Sequence, residues 1–417
     1  MIFFFDRYTE HVKKLQDTMR RMGRTAEIVV MEENGFLPDG VSSPYDYFCT
    51  RYHREIQAEK DLSAAFLNVP EPWEICIAGS RGSIYQDGCG KASVYFVNEA
   101  EKNGLWRIEW YREDGRVWRT DFYGQNGFKY ASEFSGKDGM AESKVYYSDG
   151  NQEILAEWPG NHAAALLNHG VTEAFFTSMA GFAEYYMAEA HPGEIGILYV
   201  QDQRCLERLD VKPDEEKIWD RLLFADSGLL EQYRDAGGKD GCLFYAVPES
   251  YPDNSAKGEA LILTASDQIE GIEYLASVLE CVTFHIAANT QVSDQLCRLG
   301  ERNNVKVYPG AGRKLLETLW KQCDFYLDIN HYREIYHAVD TAHRNNLLIM
   351  GFEDTMHDRK LAADECVFSS RDCGKLAQTL QSLVDHPAEV KKRLAVQQHK
   401  KDIIWNRLLN SEKKAEE

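Results

Sequence analysis

Nowhere along the chain do two cysteines stand in a C-x-x-C spacing; the ten cysteines lie apart at positions 49, 76, 89, 205, 242, 281, 297, 323, 366 and 373. Zinc ribbons need clustered thiolates and small secreted scaffolds need dense ones, so both classes are excluded, and scattered reduced thiols fit the cytoplasm. Long apolar runs are missing too. The opening run Ile2–Phe5 is closed at once by Asp6 and Arg7, too short for the core of a signal peptide. No stretch approaches the roughly 20 residues that cross a bilayer. Basic clusters are equally absent. Asp and Glu number 67 against 47 Lys and Arg, a formal net charge of -20, and such a field repels nucleic acid and anionic lipid alike. The expectation is a cytoplasmic protein without a nucleic-acid partner, whose attachment to the inner face of the membrane, if any, comes through another protein.

What is present suffices for several cores. A chain of 417 residues, 44% hydrophobic and 12% aromatic, is long enough for two or three domains that each bury their own apolar surface. The first stretch reads as α/β: Ile2–Phe5 is a short buried strand, residues 8–22 an amphipathic helix, and residues 27–31 a second β-branched strand. The segment GFLPDGVSSPYDYF then reads as a turn, from its Gly, Pro and Ser.

Between Trp73 and Trp158 the period changes. The dipeptides Asp114-Gly115, Asn126-Gly127, Asp138-Gly139 and Asp149-Gly150 recur at separations of twelve, twelve and eleven, and such pairs tolerate the positive φ of tight primed turns. Alternating aromatic segments such as LWRIEWYR and RVWRTDFYG run between them. These are the marks of a β-meander. On residues 105–112, strict alternation places Trp106, Ile108 and Trp110 on one face and Arg107, Glu109 and Tyr111 on the other. The aromatics Trp106, Trp110, Trp118, Phe122 and Tyr130 then have two readings: a face packed on the body of the protein, or a platform for an extended peptide acceptor.

Helical periodicity returns at residues 175–190, and residues 194–200, 221–225 and 242–247 read as buried strands. The meander is therefore placed as an insertion in the first α/β domain. Residues 1–72 with 159–255 form a Rossmann-like domain, 73–158 the inserted meander, and 256–417 a second Rossmann-like domain, with 248–257 as linker. In that second domain ALILT, VTFHIAAN, VKVYPG, DFYLDI and NLLIMGF alternate with helical stretches, the pattern of a doubly wound parallel sheet with its crevice at the strands' carboxyl ends. A helical tail from Pro387, with Val390, Leu394, Ile403, Trp405, Leu408 and Leu409 as its apolar residues, is of the kind that packs back across a domain interface.

Two α/β domains facing a cleft and closed by a long helix define the fold class expected here, α/β and GT-B-like. The segments LILTASDQIEGIEYL, FHIAANTQVSDQL, QCDFYLDINHYREIYHAVDTAHRNNLLIMGFEDT and the early GFLPDGVSSPYDYF make the resemblance narrower. The chain resembles, over most of its length, the stabilising GtfB subunits of the accessory Sec O-N-acetylglucosaminyltransferases of Gram-positive bacteria. The resemblance implies a catalytic GtfA-type partner that uses UDP-N-acetylglucosamine (UDP-GlcNAc), a serine-rich repeat adhesin as acceptor, and a two-plus-two assembly. It implies a subunit that binds acceptor and stabilises its partner, without transferase activity of its own and without a cofactor of its own.

The residues point the same way. Active retaining GT-B enzymes follow the first strand of the C-terminal domain with G-R-x-x-x-x-K-G, whose Arg and Lys neutralise the donor diphosphate. Laying Gly271 on the last Gly places Thr264 at the first, Ala265 at the Arg and Glu270 at the Lys, and a carboxylate there repels a diphosphate. Such enzymes also carry two Glu separated by seven residues after the fourth strand. Matching Ala338-Val339 to the pattern puts Ile329 and His337 at those positions, with Asp328, Asn330 and Glu334 nearby but out of register. Both donor grips are therefore read as lost, leaving at most a vestigial crevice at Thr264, Asp328, Asn330 and Glu334.

Three further patterns are read as structural. Gly88-Cys89-Gly90-Lys91-Ala92-Ser93 lacks the first Gly of a P-loop, since Tyr85 stands there, and reads as a turn. His331, His337 and His343, six apart, spread around a helix rather than aligning for a metal. Gly310 and Gly312 before a helix read as a strand-to-helix turn that, with Arg313, also suits an anion. The competing functions are an independently active retaining transferase with an altered donor site built on Asp328 or Glu334, and a chaperone that only keeps its partner folded. Residues 171–190 and the meander are the candidate partner surfaces, the former equally a buried helix.

Overall fold

The computed structural model describes residues 1–52, 71–97, 104–125, 127–148, 151–168, 171–211, 218–239, 241–370 and 372–410. Two compact units divide it: Met1–Gln16 with Thr25–Phe244, and Asp17–Arg24 with Tyr245–Glu417.

In the first unit the chain runs β1 (Ile2–Phe5), α1 (Glu10–Arg21), β2 (Glu27–Val30), β3 (Val41–Ser42) and α2 (Pro44–Tyr52). It then enters a long antiparallel excursion: β4 (Glu74–Ala78), β5 (Arg81–Gln86), β6 (Cys89–Phe96), β7 (Leu105–Tyr111), β8 (Val117–Tyr123), β9 (Lys129–Ser135), β10 (Ala141–Tyr147), β11 (Glu153–Trp158), β12 (Ala163–Asn168) and β13 (Val171–Phe176). It returns through α3 (Met179–Ala190), β14 (Gly196–Val200), α4 (Gln203–Arg208), β15 (Arg221–Phe224), α5 (Ser227–Asp235) and β16 (Gly241–Leu243). The six strands outside the excursion form one parallel sheet in the order β16-β15-β14-β1-β2-β3. With β2 and β14 on either side, every residue of β1 is buried, which is why Ile2–Phe5 is apolar without alternation. The segment GFLPDGVSSPYDYF, expected to be a turn, holds the edge strand β3 and begins α2.

The ten strands β4 to β13 form one sheet in chain order. Two of its strands, β12 and β13, lie beyond Trp158, so the meander is longer than its turn dipeptides indicated, and Phe175 and Phe176 are strand rather than helix. The helix begins only at Met179, where Ser178 caps it by accepting from Gly181 N at 3.1 Å. From β7 to β11 the strands start at 105, 117, 129, 141 and 153, a strict twelve-residue repeat. Each hairpin closes by a three-residue loop, not the primed turn that the dipeptides suggest. Gly115 N donates to Arg112 O at 3.0 Å and Arg112 N to Arg116 O at 2.8 Å, with only Gly115 left-handed, at φ 81°. Gly127 and Gly139 repeat this at φ 77° and 82°. In the fourth loop Asn151, at φ 59°, takes the role, so the spacing is twelve throughout. This is a type I turn followed by a bulge residue, which needs one positive φ where a type I′ turn needs two. The pair with both φ positive is Asp87 (52°) and Gly88 (76°) between β5 and β6, inside the segment that mimics a P-loop.

Each repeat also carries an unpaired residue near the start of its strand: the pairing skips Trp106, Trp118, Tyr130, Glu142 and Ile154 in turn. A bulge breaks strict alternation. Tyr130 with Ala131, and Ile154 with Leu155, accordingly enter the same core together with Phe4, Val29 and Leu198 of the parallel sheet. The strands β5 to β7 have a separate small core of Ile84, Ala92, Val94, Phe96, Leu105 and Ile108.

The second unit continues with β17 (Glu259–Thr264), α6 (Ile272–Val278), β18 (Thr283–Ala288), α7 (Asp294–Leu299), β19 (Val305–Tyr308), α8 (Arg313–Gln322), β20 (Phe325–Asp328), α9 (Ala338–Arg344), β21 (Leu348–Phe352), β22 (Val367–Phe368), α10 (Cys373–Asp385) and α11 (Pro387–Asn410). Its sheet is parallel in the order β19-β18-β17-β20-β21-β22. Numbered along the chain, both parallel sheets have the doubly wound order 3-2-1-4-5-6, and the ten-stranded sheet occupies the connection between the third and fourth strands of the first. Helix α11 buries Val390, Leu394, Gln397, Lys401 and Trp405, so two polar residues fill a stripe that apolar residues alone did not reveal, while Ile403 is exposed. Lys401 Nζ meets Asp340 Oδ1 at 2.6 Å, and Gln397 substitutes for a strand neighbour by accepting from Ile349 N and donating to Leu347 O. Among the described residues no helix is long and apolar enough to cross a membrane.

Candidate functional site

In a 3-2-1-4-5-6 sheet the connections leave the first and fourth strands in opposite directions, and a crevice opens between the two loops. In the second unit these are the loops after β17 and β20, where the sequence placed its donor-site positions. The loops are tied to each other. Ile269 and Asn330 form an antiparallel bridge, Glu270 N donates to Ile329 O at 2.7 Å, and His331 N donates to Gln268 O at 3.0 Å. Asn330 is buried, its Nδ2 donating to Leu263 O at 3.0 Å and its Oδ1 accepting from Tyr332 N at 3.0 Å. Thr264 Oγ1 turns back on its own loop, donating to Ser266 O at 2.6 Å and accepting from Ser266 N at 3.1 Å.

The positions that the two sequence patterns align with a donor grip have other surroundings. Ala265 follows the strand without a charge, and the Glu270 carboxylate lies 2.7 Å from His331 Nε2 across the two loops. Ile329 is wholly buried in the core of the sheet. His337 is left-handed, at φ 50°, and opens α9. Gly271 is fixed for a backbone reason: it too is left-handed, at φ 66°, and a Cβ on it would lie 2.6 Å from Cys373 Sγ.

The two out-of-register carboxylates are also occupied. Asp328 is fully buried, and both its oxygens face His357: Oδ2 accepts from the backbone N and Oδ1 meets Nδ1, each at 2.7 Å. His357 Nε2 reaches Tyr332 O at 2.5 Å. A carboxylate at one ring nitrogen and a carbonyl at the other require both nitrogens to carry protons. Burial lowers the pKa of this ring, but the hydrogen bond and charge of Asp328 outweigh it and raise the value to about 9. Glu334 accepts from Val339 N at 2.9 Å in the first turn of α9, and burial raises its pKa. His357 lies 29 residues beyond Asp328, and no short-range pattern signals the pair.

The three histidines separate: His331 faces Glu270, His337 opens a helix, and His343 is buried with Nε2 2.9 Å from Gln397 O. Among the described residues no three His, Cys, Asp or Glu cluster in a way that would hold a metal ion.

The five meander aromatics do not form one platform. The bulge at Trp106 turns it beside Arg107, whose guanidinium carbon stands 4.4 Å from the Trp106 ring and 4.6 Å from that of Tyr95. Trp106 therefore leaves the face of Ile108 and Trp110 on which alternation placed it. Trp110 donates to Asp121 at 2.7 Å, and Trp118 packs near Phe134 on that same side. Phe122 and Tyr130 lie on the opposite side with Tyr146, against the parallel sheet. Of the five, Trp106 is exposed and Tyr130 is buried.

The family of GtfB N-terminal domains matches residues 2–48, that of GtfB middle domains residues 73–177, and that of GftB/GlyA-F C-terminal domains residues 260–397. A relative from Streptococcus gordonii, "UDP-N-acetylglucosamine--peptide N-acetylglucosaminyltransferase stabilizing protein GtfB", is 28% identical over 97% of this chain and 96% of its own length. The glycosyltransferase GlyE of Streptococcus pneumoniae is 36% identical over 38% of this chain and 36% of its own length. A chain in a crystal structure of a GtfA/B complex bound to UDP and GlcNAc is 26% identical, with a TM-score of 0.48 over 96% of both chains. With the three domain families matched in their order along the chain and the Streptococcus gordonii relative matched over nearly its whole length, this chain belongs to the GtfB family.

Proposed function

We propose that this chain is the stabilising, acceptor-holding subunit of a cytoplasmic protein O-N-acetylglucosaminyltransferase, and that a GtfA-type partner binds UDP-GlcNAc and performs the transfer. The observation that carries this reading is the switch point of the second sheet. Its two loops are bonded to each other, a carboxylate stands where a donor diphosphate would need a cation, and Asp328 and Glu334 are spent on His357 and on α9. A nucleoside diphosphate sugar brought there would meet Glu270 and no compensating Arg or Lys from the pattern.

The acceptor in this reading is an unstructured Ser/Thr-rich segment of an adhesin. Such a segment offers little apolar surface, so a second subunit that keeps it near the partner's active site raises its effective concentration between successive transfers. The assembly is two plus two.

The test is transfer of labelled sugar from UDP-GlcNAc to a Ser/Thr-rich peptide by this chain alone, by its partner alone, and by the mixture. Activity in the mixture well above that of either component supports the proposal. Transfer by this chain alone, lost in Asp328→Asn or Glu334→Gln, would make it an enzyme in its own right. A partner whose turnover is indifferent to this chain would remove the acceptor-holding role.

A further inference from the structure

The apolar core of the second sheet comes to the surface between α6 and α7. There it floors a cavity of about 360 Å³, through Ile269 and Ile272 on one side and Leu296 and Leu299 on the other. Asp267, Glu273 and Tyr274 stand on its rim, and among the described residues no Lys or Arg lines it. One wall is the loop after β17, the same loop whose backbone pairs with Asn330 and His331. No residue of the loop after β20 lines the cavity, so it is separate from the crevice that the two loops close.

The rim carries charge that the surrounding chain leaves uncompensated. Asp267 accepts from Ser293 N at 3.4 Å and Glu273 from Gln295 Nε2 at 3.1 Å, and neither carboxylate pairs with a Lys or Arg among the described residues. Beside the cavity α6 exposes two large apolar side chains one turn apart, Tyr274 and Val278, each 46% exposed. Residues four apart lie on one face of a helix. Single exposed apolar side chains are ordinary, but a pair next to an open apolar floor forms a continuous patch of the kind that partners cover.

Each class of occupant meets this lining differently. Phosphates, nucleotides and anionic lipid headgroups are repelled by Asp267 and Glu273. A second copy brings its own net charge of -20 to the same acidic rim, which opposes it. A Ser/Thr-rich acceptor has little apolar surface to set on Ile269, Leu296 and Leu299. What fits is an apolar side chain flanked by Lys or Arg, with the cation reaching Asp267 or Glu273 or lying over the Tyr274 ring. We propose that this groove docks a basic amphipathic segment of a partner protein, which sets an apolar anchor on the floor and flanking cations on the rim. Docking here involves neither donor nor acceptor, so it is independent of the accessory role proposed above.

The experiment is fluorescence anisotropy on the full chain with a labelled synthetic peptide of about 14 residues, four helical turns, that places Leu on one helical face and Lys on its flanks. The same peptide with Glu for Lys, and again with Ser for Leu, are the comparison probes. Expected is saturable binding of the Leu/Lys peptide in the micromolar range, weakened about tenfold by Glu273→Lys and by Tyr274→Ala. Glu113→Lys, which makes the same charge change in the exposed loop between β7 and β8, should leave it unchanged. Glu273 and Tyr274 are themselves exposed, so both substitutions leave the fold intact, which an unshifted melting midpoint verifies. No saturable binding up to about 1 mM, binding indifferent to either substitution, or equal binding of either comparison peptide overturns the proposal. Self-association of the chain in sedimentation velocity that Tyr274→Ala abolishes does so too, because a second copy would then be the occupant. Loss of peptide binding in Tyr274→Ala, while the mixture with its partner still transfers sugar, supports a docking site distinct from the accessory function.

Discussion

Asp328 and Arg208 are the residues on which each unit's buried charge turns. Because the pKa of His357 is raised from the ordinary 6.5 to about 9 by its bond to Asp328, the folded protein binds this proton more tightly than the unfolded chain. Its stabilisation is therefore complete below pH 6.5 and is lost as pH rises through about 9. Urea unfolding of the second unit across that window should show a fall in stability, and His357→Gln should flatten it; an equal slope in the variant would remove the assignment. Arg208 is the counter-ion of both Asp6 and Glu157. Arg208→Met should cost the first unit about 3–5 kcal/mol, since it leaves Glu157 buried without its ion pair and Asp6 with only the more exposed Arg7 and Arg204; chemical denaturation measures it. Glu270 and Ala265 were expected as departures from a donor grip because that pattern is local in sequence, and the structure sets Glu270 against His331. His357, 29 residues away from its partner, was not, since only the neighbouring strands bring it back to Asp328.

The twelve-residue hairpin shows what an element's sequence can and cannot reveal. Gly115, Gly127 and Gly139 marked three loops, but the fourth has its left-handed residue at Asn151, one position past the dipeptide that marked it in the sequence. Asn pays for that conformation where Gly does not. Asn151→Gly should raise the stability of the first unit by roughly 0.5–1 kcal/mol, and Asn151→Ala should lower it by about 1 kcal/mol, both read as shifts of the urea midpoint. The same repeat explains the misplaced face of Trp106. Alternation was counted as if every residue paired, and a bulge is a property of the pairing, not of the single strand. In α11, Lys401 and Gln397 occupy the buried stripe through an ion pair and two strand-like hydrogen bonds, which hydrophobic periodicity does not register.

Across the whole molecule the large cores are separate. One draws only on residues 256–394 and the other only on residues up to 233. Trp405, buried with its Nε1 donating to Tyr245 O at 2.9 Å, lies in the second unit, and Trp405→Ala should cost about 3–5 kcal/mol there. Unfolding followed by hydrogen exchange should show Trp405→Ala lowering protection in the second unit and Arg208→Met lowering it in the first. Uniform loss in both units from either substitution would instead mean one cooperative fold. The net charge of -20 acts on this scale as well, opposing polyanionic partners whatever the fold.

By itself the sequence determined the α/β class, the alternation of the second sheet and the presence of hairpins. Each of these is written in short-range periodicity or in residue identity at a fixed spacing. Only the tertiary structure decided that both parallel sheets share one strand order, that the two switch-point loops bond to each other, and that Arg208 meets both Asp6 and Glu157. Those facts depend on which strands become neighbours, and strand pairing across a hundred residues or more is set by the packing of the whole chain rather than by any window of it.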